Sequence, residues 1–200
     1  MSASALMDWM TSNLFLAVAG GLLGAVAVGA LKAAQNLMGV THVFLLGLEN
    51  VVPSRATARL HEGGVRSMTG YLKRVTLHGA AATCAVAALA ALAPDFWLGL
   101  VFGEEFVGYG GLLRWYAVIY VVTFLMVPLQ AGLRAIERTQ LIFRAYFAGT
   151  LLSLIAVFPL VSWFGLTGAV AGILAVRLMQ TLILEQGFGG AVKGFNAHVG

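Results

Sequence analysis

The sequence predicts an all-α fold: an integral membrane helical bundle of about six transmembrane helices, each crossing a hydrocarbon layer ~30 Å thick. Three observations predict it. Of 200 residues, 60% are hydrophobic and only 10% are charged, against about 25% charged in soluble domains. Such a chain cannot clothe a globule in polar side chains, and its mean hydropathy is correspondingly high at +0.91. The apolar residues gather in blocks near the ~20-residue length that spans a bilayer as helix. The loops between blocks alternate in charge, as expected when basic loops stay in the cytoplasm.

The blocks form a single domain, 1–200. The first, 6–20, is short and interrupted by Asp8, Thr11, Ser12 and Asn13. The second, 26–52, carries Lys32, Gln35, Asn36, His42 and Glu49 and is expected to end at Pro53, because proline removes a helical hydrogen bond. The third, 76–92, is Ala-rich and stops before Pro94, and the fourth, 110–127, ends near Pro128. The fifth, 141–163, and the sixth, 166–188, flank a turn at Gly165, with Arg177 near the middle of the sixth. The loop 53–75 holds Arg55, Arg59, Arg66, Lys73 and Arg74 against Glu62. The next loop is acidic, with Asp95, Glu104 and Glu105, and the one after is basic, with Arg134, Arg138 and Arg144 against Glu137. This alternation places 53–75 and both termini in the cytoplasm. Val65, Met68, Leu72 and Val75 recur there at helical spacing. That suits either a short interfacial helix on anionic membrane lipid or a solvated loop.

Composition also excludes function classes. The net charge of +4 is explained by membrane topology, so no nucleic acid partner is implied. The single Cys84 rules out a disulfide framework and a cysteine-built metal site. The N-terminus lacks the basic region and small-residue cleavage site of a secretory signal. His61, His78 and His198 show no ligand spacing, so no metal or other cofactor is expected. No Gly loop followed by Lys and Ser/Thr is present, nor any paired carboxylates or Ser/His/Asp grouping, and the chain is not expected to be an enzyme.

The candidate substrate-binding residues are polar groups inside the blocks. At about 100° per residue, Lys32, Gln35, Asn36, His42, Glu49 and Asn50 share an arc of about 140° on one helix. One face of the second block therefore avoids lipid. It lines a water- or substrate-filled cavity, or it hydrogen-bonds to neighbouring helices. Arg177 lies too deep to snorkel, and Gln180 and Thr181 share its face. Its planar fork suits a buried anion, or it is satisfied structurally by carbonyls or a neighbouring acid. Arg114 sits among Tyr109, Trp115, Tyr116 and Tyr120, where an aromatic interface belt is the commoner explanation. The spacings Gly20-x-x-x-Gly24 and Gly168-x-x-x-Gly172 permit close helix contact.

The order GLLGAVAVGALKAAQNLMG, LENVVPSRA, HEGG, an Ala-rich span, LVFGEEFVGYGGLLRWYA, LRAIERTQLIFRAY and WFGLTGAVAG resembles one half of a polysaccharide or O-antigen flippase. Such flippases belong to the multidrug/oligosaccharidyl-lipid/polysaccharide exporter superfamily. The resemblance implies one half of a MATE-like transporter, expected to be the C-terminal bundle. The partner bundle is then a missing N-terminal half, or a second copy in a homodimer. The cargo implied is a polyprenyl-diphosphate-linked glycan, flipped across the bacterial inner membrane by alternating access. Lys32, Arg114 and Arg177 become candidates for holding its diphosphate or sugars. Two alternatives stay open: a drug exporter of the same superfamily, and a non-transporting membrane scaffold of envelope polysaccharide synthesis.

Overall fold

The computed structural model describes the backbone of residues 3–199 and the side chains of residues 6–39 and 47–195. Every regular element among them is helical: α1 (Ala3–Leu23), α2 (Ala25–Leu92), α3 (Pro94–Phe102), a 3-10 turn (Glu104–Phe106), α4 (Gly110–Ala135) and α5 (Thr139–Val199). α1, α2, α4 and α5 are long and apolar enough to cross a membrane. Two of them are not straight rods. α2 is broken at Gly63 and Gly64, and α5 at Gly165, by non-helical backbone. Gly64 (φ 66, ψ −170) and Gly165 (φ 59, ψ −135) sit where a Cβ is strongly disfavoured. Each break turns a double-length helix into a hairpin, so six membrane-length segments result.

Side-chain neighbours show the reversal. In α5, Gly149 lies against Gln180, Gly187 beside Leu141, and Gly168 against the carbonyl of Leu160. The two arms, 139–164 and 166–199, therefore run antiparallel. In α2, Val52 and Ala56 share a core cluster with Val65, Met68 and Leu72, while Leu31 and Ala87 share another. α4 stands between these layers, with more than half of its residues buried. α1 seals the α5 hairpin, its Phe15 ring resting on Gly172. Large apolar residues such as Val26, Leu77, Leu92, Ile155 and Trp163 stay exposed around the outside, which suits contact with lipid tails rather than water.

Several boundaries differ from the sequence expectation, the sixth segment for instance running on to Val199 rather than 188. α1 extends over Ala3–Leu23 rather than 6–20. Pro53 lies inside α2 and Pro128 inside α4, so neither ends its helix. A proline removes one backbone bond at about 3 kcal/mol, and long helices packed on both sides absorb it. Buried Val52 and Ala56 flank Pro53, and Thr57 Oγ1 donates to the Pro53 carbonyl at 3.1 Å. The stretch 53–75 is accordingly helical on both sides of the Gly63–Gly64 break.

At the opposite end, Asp95 Oδ1 accepts from the backbone N–H groups of Gly108 (2.9 Å) and Gly110 (3.1 Å). This carboxylate closes the acidic loop against the start of α4, where negative charge is also favoured by the helix dipole. The Gly165 turn invites a direct test. Gly165→Ala is expected to cost about 1–3 kcal/mol, the usual range for a residue forced into sparsely populated backbone. Gly111→Ala, in an open helical position of α4, should be neutral or stabilising. Unfolding midpoints in detergent would rank the two.

Candidate functional site

A polar cavity of about 170 Å³ lies inside the bundle, where α1, the first arm of α2, α4 and both arms of α5 meet. Its charged lining residues are Asp8, Glu49 and Arg177. Arg177 is only 9% exposed. At about 1.5 Å rise per residue it sits about 18 Å from the Gly165 turn, near the middle of a ~30 Å layer. Its Nη1 donates to Asp8 Oδ1 at 2.5 Å and to Gln180 Oε1 at 3.2 Å, and Nη2 reaches Ser12 Oγ at 3.4 Å. The guanidinium is thus neutralised by an acid from the first helix and held by two neutral acceptors. That is the structural of the two readings its sequence context allowed.

α4 supplies Tyr116, Tyr120, Thr123 and Gln130 to the wall, and α5 supplies Tyr146. Gln130 Nε2 donates to Tyr146 Oη at 3.1 Å, while Arg134 Nη2 donates to Gln130 Oε1 at 3.3 Å. A chain of polar groups therefore runs from the cavity toward the basic end of the bundle. Gln35 Oε1, Tyr116 Oη and Gln180 Nε2 are buried and bond no protein atom. Buried polar atoms without partners are costly, and of these three residues Gln35 and Tyr116 line the cavity, where water or a small polar guest can bond them. The volume decides between guests. It admits a few waters at about 30 Å³ each and falls below the ~300–1,000 Å³ of drug-sized ligand sites.

The sequence-predicted residues divide accordingly. Gln35, Glu49 and Arg177 meet in the cavity, and fully buried Gln180 braces Arg177 from behind. Lys32 and Asn36 are exposed on another side of the same helix. Arg114 is exposed near the start of α4, where its Nε donates to the Ala91 carbonyl at 3.4 Å. The side chains of His42 and His198 lie outside the described residues. Sequence reasoning missed Asp8, Ser12 and the tyrosines. The signal for Asp8 was present: an acid in the first span and an arginine in the last are natural mates, since each is costly alone at that depth. Among the described residues no cluster of His, Cys, Asp or Glu could hold a metal ion.

An all-helical bundle of membrane-length apolar segments around a polar cavity is the build of a multi-pass membrane protein. The chain belongs to the MatE family, whose model matches residues 1–159. That family is part of the multidrug/oligosaccharidyl-lipid/polysaccharide exporter superfamily and comprises membrane transporters rather than enzymes. No curated protein and no solved structure matches the chain.

Proposed function

We propose that this bundle is half of a flippase for a lipid-linked oligosaccharide or polysaccharide precursor, working in the bacterial inner membrane opposite a second bundle. One observation carries the reading: Lys32 is exposed within a membrane-spanning helix. It lies about 10 Å along α2 from its start, at about 1.5 Å per residue, inside the apolar layer. Asn36 and Asn50 continue the exposed stripe on the same side. An ammonium there is costly against lipid tails, so this face is best satisfied beside a water-filled passage. A cation among amides suits phosphate oxygens and sugar hydroxyls, and the passage can admit what the small internal cavity cannot.

The second bundle would be the other half of a longer chain or another copy of this one. Reconstituted full transporter should flip a labelled polyprenyl-diphosphate glycan between leaflets. Lys32→Gln, which removes one charge-assisted hydrogen bond, should slow flipping by about tenfold with an unchanged unfolding midpoint. Undiminished flipping by that variant would overturn the assignment.

A specific observation also favours a cationic cargo. Asp8 and Arg177 cancel, and among the described lining residues this leaves Glu49 as the carboxylate without an ion-pair partner. Export of a cationic dye, lost in Glu49→Gln and retained in Lys32→Gln, would establish that reading instead.

A further inference from the structure

We propose that the basic end of the bundle carries a binding site for an anionic phospholipid, with Arg138 and Arg144 holding the phosphate over a glycine-lined groove. The site is separate from the intramembrane cavity and does not rest on the cargo reading above. A hollow of about 730 Å³ opens between the α4–α5 turn and the last turns of α5. A second hollow, of about 240 Å³, shares Ile136, Arg138, Ala191 and Gly194 with it and ends at Phe195. Together they have the size of a drug-scale ligand site.

Depth places this groove at a membrane surface. Arg144 precedes the Gly165 turn by about 31 Å of helix at about 1.5 Å per residue, which matches the ~30 Å hydrocarbon thickness. Arg144 is therefore at the inner edge of the headgroup layer, and the groove lies within that layer, reaching Arg138 and Gly194 at about 40 and 43 Å from the turn by the same rise.

Chemistry then selects the ligand. Arg138 and Arg144 are exposed, and neither guanidinium has a hydrogen bond or ion pair among the described residues. Gln140 and Gln186 add neutral donors to the same rim. Glu137 also lines it, but pairs with neither arginine and leaves the rim net positive. Its backbone φ of 58 is left-handed, and Arg138 N bonds back to Leu133 O at 2.8 Å. This helix-ending turn fixes where Arg138 leaves the bundle. The floor is apolar and open. Ile136 and Leu141 form one wall, and Gly187, Gly190 and Gly194 remove side chains from the other. Two guanidiniums at headgroup level beside an unfilled apolar groove match the phosphate and adjoining glycerol ester of a phospholipid. Basic pockets between helices on the cytoplasmic side bind lipid headgroups in this way. A soluble phosphate would use the arginines and leave the groove without purpose.

The test uses the purified full chain in neutral detergent and counts retained lipid by native mass spectrometry. Phosphatidylglycerol should be retained in preference to phosphatidylcholine with the same acyl chains. Arg138→Gln/Arg144→Gln should weaken that retention by about thirtyfold, reflecting two basic contacts at a headgroup surface. Gly190→Leu fills the groove where a Cβ meets nothing within 4 Å, so it should fold normally and lose lipid. Arg66→Gln, a basic residue of the α2 turn, should retain it. Equal retention of the two lipids would overturn the proposal, as would an unaffected double variant. Equal loss in Arg66→Gln, or competition by glycerol phosphate as effective as by the lipid, would overturn it as well. Far-UV circular dichroism and unfolding midpoints for each variant separate lost binding from lost fold.

Discussion

Asp8→Ala is expected to destabilise the bundle more than the double replacement Asp8→Ala/Arg177→Met. The single change leaves a guanidinium in the interior with only Ser12 and Gln180 as acceptors. Breaking one side of a buried ion pair costs about 3–5 kcal/mol, whereas replacing both partners by apolar groups is often neutral. The Asp8 side chain is 37% exposed against 10% for Arg177, so the lower part of that range applies. The same asymmetry predicts a milder effect for Arg177→Met alone, because the orphaned carboxylate reaches water. Unfolding midpoints of the three variants form a double-mutant cycle. Strictly additive losses would show that the pair contributes no coupling, and the account of Arg177 as a structural residue would then fail.

Gly168→Ala is expected to have the second large effect. A Cβ at this position would run into the carbonyl carbon and oxygen of Leu160, with Phe164 Cβ only 3.0 Å away. The obstacle is helix backbone, which cannot rotate aside as a side chain can. The arms of the α5 hairpin must separate, and overpacking of this kind costs about 1–3 kcal/mol or more. Gly187→Ala provides the comparison, since its nearest atom is Leu141 Cδ1 at 3.2 Å, the end of a flexible chain. A clearly lower unfolding midpoint for the Gly168 variant than for the Gly187 variant is the expected result. Equal midpoints would mean that the hairpin tip is not closely packed.

The contrast between these glycines shows how far the sequence could be read. The apolar blocks and their charged junctions were legible because the bilayer imposes length and polarity on each segment separately. The stops were harder. Pro53 and Pro128 look like terminators, yet packing around them outweighs one lost hydrogen bond. The α2 hairpin instead turns at Gly63 and Gly64, two positions that read equally well as an ordinary loop.

The site was partly legible for a related reason. Periodicity gathered Lys32, Gln35, Asn36 and Glu49 onto one arc, but it contains no information on how that helix is rotated against its neighbours. The structure divides the arc, with Gln35 and the exposed Glu49 lining the cavity and Lys32 and Asn36 exposed away from it. Arg177 stood out by its depth. Its mate did not, because an acid in a short first block looks like a flaw in a span rather than half of a contact.

That contact joins residues 169 positions apart, and the separation matters for how the protein is made. At about 5–20 residues per second, a ribosome needs roughly 10–30 s to pass from Asp8 to Arg177. Throughout that interval Asp8 lacks the guanidinium it pairs with in the finished bundle. The Asp8–Arg177 contact can therefore form only after the second arm of α5 has been made.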